Sequence, residues 1–318
     1  MREIQIGPPA TSFPLDPRFQ GHPFSFILHP VTSESVLLEF NGGELALFSL
    51  TSGNILAECA ARDFSTGMIG HDFSSNLSAG LLVRAVNFWK TPISAIADLS
   101  LKFEIEAQHG HLAISAKFSP CGQYLAIGYG RYPLSPADGP IDSVVEIWTM
   151  RGEPEFIAWK RMPGVACSAI AWSGDSSFLA VFSGHINQQT GYLALIESTG
   201  WNITQICETR LGGLRQAFVG PYSIILFGSH GCELRSWLDL GYIDDVAIFE
   251  TRNSLGFSLF GAGGFIFSHG GLISFEDEEM VLLPDGIVCA TSLANGGIAA
   301  LSGDSTLLIW PHGTVDLR

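Results

Sequence analysis

Residues 110–148 read GHLAISAKFSPCGQYLAIGYGRYPLSPADGPIDSVVEIW and contain three short apolar runs, at 112–118, 123–128 and 144–148. The first run ends at the turn sequence Ser119-Pro120-Cys121-Gly122. Glycine, proline and serine are the residues that most often end strands and form turns. Short apolar runs bounded in this way are typical of β-strands, so the stretch predicts three strands of a β-meander.

The same order of runs and turns recurs along the chain. Residues 166–207 repeat it with a turn at Ser173-Gly174-Asp175, and residues 21–58 repeat it with a turn at Asn41-Gly42-Gly43. A third match aligns the segments 228–237 and 267–275. Internal repetition of this kind indicates an architecture of stacked structural units. We therefore expect a single all-β domain built from repeated four-stranded units.

The stretch that begins at residue 110 resembles a WD40 repeat. It has the Gly110-His111 start, the strand end Phe118-Ser119-Pro120-x-Gly122 and the closing Trp148 of that family. The resemblance implies a seven-bladed, WD40-like β-propeller of four-stranded antiparallel blades, with six or eight blades left open by an irregular second unit. The expected blades are 21–60, 61–108, 109–161, 162–210, 211–252, 253–284 and 285–318, preceded by residues 1–20 as an extended lead-in or closing strand.

The family pattern is incomplete. Trp148, Trp237 and Trp310 end their units, but none of them is followed by aspartate. The family's hydrogen-bond network of His, Ser or Thr, Asp and Trp is therefore not expected in every blade. In this degenerate style the chain is also similar to the propeller regions of fungal NACHT-type receptor proteins. Either Glu3–Ile6 or Thr314–Leu317 is expected to supply the outer strand of the last blade.

Composition and charge limit the classes of function. The chain is 47% hydrophobic and only 15% charged, which indicates a folded and heavily buried protein. It has neither an apolar run of the roughly 18 residues that cross a bilayer nor the apolar core of a signal peptide, so we expect an intracellular protein, cytoplasmic or nuclear, without a membrane partner. The formal net charge of −15 disfavours nucleic acid and favours a basic protein partner, although solubility alone would also explain it.

The sequence contains no recognisable catalytic or metal-binding motif. Its six cysteines include no Cys-x-x-Cys pair, so we expect small, buried, free thiols. The histidines lack the spacing of metal ligands, and the serines lack a nucleophile elbow. We therefore expect no catalytic residues, no metal and no cofactor. Two alternatives stay open, namely a propeller hydrolase or lyase with its site at the central channel, and an acidic chaperone for a basic protein.

Insertions indicate where a partner binds. The connections between the second and third runs are long at 129–142 and 184–191, and residues 87–92 extend a neighbouring unit. Loops that leave a rigid scaffold often bind partners, and Arg, Tyr and Trp often anchor interfaces, although surface loops also tolerate length without function. We predict a non-enzymatic protein–protein interaction module or scaffold subunit, within a larger complex or longer chain, that binds through Trp89, Arg131, Tyr132, Pro133, His185 and Asn187.

Overall fold

The structure of the chain is a computed structural model. The structure describes residues 2–16, 27–32, 34–40, 44–59, 73–85, 89–130, 143–184, 190–211, 214–219, 223–228, 231–245, 265–268, 271–274, 279–293 and 297–311. Within these residues the secondary structure consists of strands and turns, without a helix. The all-β class that the apolar runs predict is thereby confirmed.

Twenty-eight strands are present in the described part of the chain. The first fourteen are β1 (Arg2–Gln5), β2 (Thr11–Pro14), β3 (Ile27–Pro30), β4 (Ser35–Phe40), β5 (Glu44–Ser49), β6 (Ile55–Cys59), β7 (Phe73–Asn76), β8 (Leu81–Arg84), β9 (Lys90–Ala95), β10 (Leu101–Glu106), β11 (Leu112–Phe118), β12 (Tyr124–Gly130), β13 (Ser143–Thr149) and β14 (Glu155–Met162). The second fourteen are β15 (Ala166–Trp172), β16 (Phe178–Gly184), β17 (Gly191–Glu197), β18 (Ile203–Thr209), β19 (Leu214–Val219), β20 (Ser223–Gly228), β21 (Gly231–Ser236), β22 (Tyr242–Asp245), β23 (Phe265–Ser268), β24 (Gly271–Ser274), β25 (Glu279–Leu282), β26 (Ile287–Ser292), β27 (Ile298–Ser302) and β28 (Thr306–Trp310).

The described strands form five four-stranded sheets and one eight-stranded sheet. The eight-stranded sheet has two four-stranded halves, β11–β14 and β15–β18, which join where Gly130 of β12 pairs with Ala166 of β15. Within each half, and within β3–β6, β7–β10 and β19–β22, consecutive strands pair in a meander. This arrangement is consistent with seven four-stranded units.

The chain divides into two compact units. The first comprises residues 1–69, 97–99 and 253–318, and the second comprises residues 70–96 and 100–252. In the first unit the β3–β6 sheet packs on the sheet of β26, β27 and β28, with Val36, Leu38 and Phe48 against Ala299, Leu301 and Leu307. The second unit contains the sheets from β7 to β22.

The central strands of the second unit are buried on both faces. Leu125, Ala126 and Ile127 of β12 have no exposed surface. Leu125 and Ile127 pack with Val83 and Ile93 of the β7–β10 sheet, whereas Ala126 packs with residues of the β15–β18 half. Full burial of each such large side chain contributes about 1.5–3 kcal/mol, which explains why these strands are continuously apolar in sequence.

The N-terminal strands complete two sheets that are otherwise formed by the C-terminal part of the chain. Strand β1 pairs with β25 in parallel, and β2 pairs with β28 antiparallel. Trp310 is fully buried and donates its Nε1–H to the carbonyl oxygen of Gly7 at 2.9 Å. The expectation that Glu3–Ile6 pairs with the last sheet is therefore wrong: Glu3 pairs in the preceding sheet, and Thr11–Pro14 takes the place in the last one. Thr314–Leu317 lies outside the described residues.

Candidate functional site

Trp89 is the predicted binding residue that falls within the described part of the chain. It precedes β9 and is 41% exposed. The ammonium of Lys90 lies 4.8 Å from the centroid of the Trp89 ring and also donates a hydrogen bond to Glu104 at 2.7 Å. The remaining predicted residues lie outside the described ranges, and they are Arg131, Tyr132, Pro133, His185 and Asn187.

The two long insertions leave the sheet from neighbouring positions. Gly130 ends β12 and Gly184 ends β16, and both glycines pair with Ala166 of β15. Adjacent strands lie about 4.8 Å apart, so Gly130 and Gly184, the stems from which the two insertions leave, are separated by roughly 10 Å. A Cβ atom on Gly130 would lie 2.4 Å from Ile114 Cδ1 and 3.0 Å from Ala166 Cβ, so a larger residue here would require both side chains to shift. Arg131 and His185 follow the two stems directly in sequence.

A buried carboxylate shapes the loop between β10 and β11. Glu146 of β13 is fully buried, and its Oε1 atom accepts hydrogen bonds from the backbone N–H groups of Gln108, His109 and Gly110 at 2.9, 2.5 and 3.0 Å. A Cβ atom on Gly110 would lie 2.1 Å from Cγ of Tyr129, so only glycine fits beside that ring. The loop is therefore held by one charged acceptor and one steric contact.

The second oxygen of Glu146 belongs to a closed polar cluster. Glu146 Oε2, the Tyr129 hydroxyl and Thr91 Oγ1 are buried without a hydrogen-bond partner, and their residues are at most 1% exposed. Burial, followed by the charge of Glu146, raises the pKa of Tyr129 well above its ordinary value. A catalytic acid or base must be reached by substrate, so this inaccessible cluster is a structural feature of the fold.

The loop held by Glu146 contributes to an exposed aromatic surface. Phe156, Ile157 and Trp159 of β14 are each between 36% and 38% exposed. His109 stacks on Trp159 with ring centroids 4.5 Å apart, and it lies 5.6 Å from the Phe156 ring. The Trp148 ring packs edge-on against the Phe156 ring, with the ring centroids 5.4 Å apart. We name these four side chains, His109, Phe156, Ile157 and Trp159, the β14 aromatic surface.

A recurring β-bulge explains part of this exposure. In five outer strands the register shifts by one residue, and the extra residue on the bulge is exposed to solvent. The extra residues are Leu56, Lys102, Ile157, Thr204 and Ile243. Only β14 combines an apolar bulge residue with two exposed aromatic rings among the outer strands that the structure describes.

The described residues contain no group of three or more His, Cys, Asp or Glu side chains that could hold a metal ion. None of these described cysteines is in a disulfide bond, as predicted: Cys59, Cys121, Cys167, Cys207 and Cys289. Cys167 and Cys289 are buried, but the expectation of burial is wrong for Cys121, because its turn leaves the side chain exposed. In the same part of the chain there is no helix of the length and apolarity that crossing a membrane requires.

Comparison with known proteins supports the fold. No protein-family model and no curated protein sequence matches the chain. It is similar to the β-propeller domain of Cps50 (Swd1) from Myceliophteria thermophila, with 11% identity and a TM-score of 0.62 over 95% of this chain and 99% of that one. It is also similar to Kuenenia stuttgartiensis hydrazine synthase, with 9% identity and a TM-score of 0.63 over 92% of this chain and 97% of that one. Likeness at this identity shows the fold alone, and we conclude that the chain has the β-propeller fold that its repeats predict.

Proposed function

We propose that the chain is a non-enzymatic, intracellular protein-interaction module, a scaffold subunit that binds a partner protein through the β14 aromatic surface. The observation that carries this proposal is the concentration of Phe156, Ile157 and Trp159 on one outer strand. Large aromatic side chains on a rigid support are the residues that most often dominate binding energy. A fold of this kind hosts many functions, so the proposal rests on the surface and not on the fold.

Strand β14 is also the outer strand of its half of the eight-stranded sheet. It is eight residues long, and in the described residues it pairs only with β13. An outer strand presents N–H and C=O groups to which an extended peptide can add by strand pairing. The partner segment that we propose is therefore extended and apolar, and its side chains pack on Phe156 and Trp159.

The insertion residues extend the same proposal. The Ala107 N–H donates a hydrogen bond to the Trp89 carbonyl at 2.9 Å, so Trp89 is joined to the loop that carries His109. We propose Trp89, with Arg131, Tyr132, Pro133, His185 and Asn187 of the adjacent insertions, as a second contact for the partner. We further infer that the units are divergent WD40 repeats, of the style found in the propeller regions of fungal NACHT-type receptor proteins.

Replacing Phe156 and Trp159 together with serine should reduce recovery of the partner at least tenfold. The affinity-tagged chain is purified from its source lysate, and co-purifying proteins are quantified by mass spectrometry against the wild type. Leu77→Ser is the matched control, because Leu77 is also exposed but lies in the β7–β8 turn. Proteins that depend on the aromatic pair but not on Leu77 support the proposal. Equal recovery by all three chains, each shown to be folded by its thermal transition, would overturn it.

The insertion residues are tested in the same purification. Alanine at Trp89, Arg131, Tyr132 and His185 should lower recovery of the same partner several-fold, since interface Arg, Tyr and Trp side chains are the ones whose removal costs most. If this variant recovers the partner as well as the wild type does, the insertions have no part in binding, and the β14 aromatic surface remains under test by its own variant.

A further inference from the structure

The outer strand β14 contains a segment whose chemistry is the same when it is read from either end. Residues 155–160 read EFIAWK, with a charged residue at each end, an aromatic residue next to it and two aliphatic residues in the centre. The two end residues, Glu155 and Lys160, have opposite charges. We name these six residues the EFIAWK segment. A strand of this kind that pairs with a reversed copy of itself places unlike charges opposite each other and aromatic rings opposite each other.

The β-bulge of β14 places the two aromatic residues of the segment on one face. Phe156 and Trp159 are three positions apart, and in a regular strand residues three apart point to opposite faces. The extra residue Ile157 changes this, because Phe156 pairs with Trp148 and Trp159 pairs with Glu146 of β13. Glu146 and Trp148 are two positions apart and share a face, so their partners share it as well. The bulge thus makes the segment able to pair with its own reverse.

The two charged residues lie together on the other face. Glu155 pairs with Thr149 and Lys160 pairs with Val145, and these two positions of β13 also share a face. The Glu155 side chain is exposed, and that of Lys160 is partly exposed. Five strand residues span roughly 16 Å, so the two charges are far apart within one chain. A partner strand that suits both ends therefore carries a cation at one end and an anion at the other.

The charges beside the segment follow the same order. Exposed Glu153 precedes the segment, and exposed Arg161 follows it. Arg151 is also exposed near the acidic end, but its guanidinium donates hydrogen bonds to Gln123 Oε1 in the connection between β11 and β12. The start of β14 is therefore acidic and its end is basic, so an antiparallel copy brings unlike ends together.

We propose that β14 pairs antiparallel with β14 of a second copy of this chain, about a two-fold axis at the centre of the EFIAWK segment. Phe156 of each copy lies opposite Trp159 of the other on one face, and Glu155 lies opposite Lys160 on the other face. Each contact occurs twice, as a two-fold interface requires. Aromatic pairs and opposite charges across strands both stabilise sheets. This inference rests on the function proposed above and names a second copy as the partner of the β14 aromatic surface.

The net charge of −15 opposes this association at long range. At about 0.15 M salt the Debye length is about 8 Å, so exposed charges that lie farther apart are largely screened. Charges that face each other across paired strands are closer than this distance and are screened less. The local pattern of β14 therefore determines whether two copies pair under these conditions.

Charge reversal at the ends of the segment tests the pairing. Analytical ultracentrifugation of the wild type between about 1 and 100 μM at about 0.15 M salt should show a reversible monomer–dimer equilibrium. Glu155→Lys and Lys160→Glu each place like charges at both ends of the interface, so each should weaken the dimer about tenfold. An equimolar mixture of these two variants restores unlike charges at both ends and should form a heterodimer with nearly the wild-type affinity. The double variant Glu155→Lys/Lys160→Glu should do the same as a homodimer.

Two further variants are controls. Glu34→Lys makes the same change of net charge in the connection between β3 and β4, where Glu34 is exposed, and should dimerise at least as well as the wild type. Net charge alone predicts tighter association for Glu155→Lys too, because that chain is less negative, whereas the proposed pairing predicts weaker association. Phe156→Ser/Trp159→Ser should be monomeric over the whole concentration range. The thermal transition of each variant shows that it is folded.

Three outcomes would overturn the inference. They are a wild-type chain that stays monomeric over this range, a dimer that neither single reversal weakens, and a mixture of the two reversed chains that does not associate. None of them decides the lysate experiment, in which a different protein that depends on Phe156 and Trp159 would still support the proposed function. Failure of the proposed function has another signature, since no protein in the lysate, the untagged copy of this chain included, would then depend on the aromatic pair.

Discussion

Replacing Glu146 with alanine should lower the free energy of unfolding by more than about 3 kcal/mol. One carboxylate oxygen accepts the backbone N–H groups of Gln108, His109 and Gly110, and the side chain is fully buried. Alanine removes the charged acceptor of three hydrogen bonds, and a hydrogen bond to a charged group contributes about 1.5–3 kcal/mol. Urea denaturation measures the loss, and faster hydrogen exchange at the three amides shows where it arises.

Glu146→Gln is the control for this prediction. Glutamine keeps an oxygen for the three N–H groups. Its amide nitrogen can donate to the Tyr129 hydroxyl or to Thr91 Oγ1, both of which are buried without a hydrogen-bond partner. We expect this variant to unfold within about 1 kcal/mol of the wild type. A small loss in the alanine variant, or equal losses in both, would show that the carboxylate does not hold the loop.

A second buried carboxylate in the described residues accepts a backbone N–H group of a loop in the same way. Glu233 of β21 stands one position before the register shift against β22, as Glu146 of β13 does before the shift against β14, and Glu233 Oε1 accepts the Arg210 N–H at 3.1 Å. In β5 and β17 the matching positions are Ala46 and Ala194. A carboxylate on the third strand therefore secures the loop that enters its own sheet, in a chain whose closing tryptophans lack the following aspartate.

Removing residues 2–15 should lower the free energy of unfolding by more than about 4 kcal/mol. The deletion takes an outer strand from each of two sheets and exposes the partners of buried Leu15 and of partly buried Ile6 and Phe13. Full burial of such side chains contributes about 1.5–3 kcal/mol each. The deletion also removes the Gly7 carbonyl oxygen, which accepts the hydrogen bond from Trp310 Nε1–H. The midpoint and slope of urea denaturation measure the effect.

A shorter deletion and a peptide keep this prediction testable if the truncated chain does not fold alone. Removal of residues 2–6 takes only β1 and should cost clearly less than the longer deletion, because β2 stays paired with β28. A synthetic peptide of residues 2–16, added during refolding of the longer truncation, should restore the wild-type circular dichroism spectrum. An unchanged denaturation midpoint in the truncated chain would contradict the prediction.

Sequence reasoning predicts the strands well where turns and apolar runs coincide. Strand β11 occupies Leu112–Phe118, as the opening stretch predicts, and β13 contains the run at 144–148. The pairing of the N-terminal strand could not be predicted, since Glu3-Ile4-Gln5-Ile6 alternates and its pattern suits any open sheet edge. Its choice of β25 depends on contacts with residues almost the whole chain length away.

Only part of the candidate site could be predicted from the sequence. Trp89 is exposed as its insertion suggests, but the β14 aromatic surface lies on a strand and not on the long loops. Two exposed rings and an isoleucine within four residues look like a core strand in a linear pattern. Only the register shift opposite Ile147 and Trp148 reveals that Ile157 is an extra, outward residue. Glu146 gives no motif at all, because its partners are backbone atoms of another segment.

The pairing of β1 and β2 with C-terminal strands has a consequence for biosynthesis. A ribosome releases Arg2–Pro14 well before the strands that pair with this segment, Glu279–Leu282 and Thr306–Trp310. The sheets from β7 to β22 need only local partners and can form while translation continues. Arg2–Pro14 therefore stays without these partners while the sheets from β7 to β22 are synthesised, and the two sheets that contain β1 and β2 are completed only after Trp310 has been made.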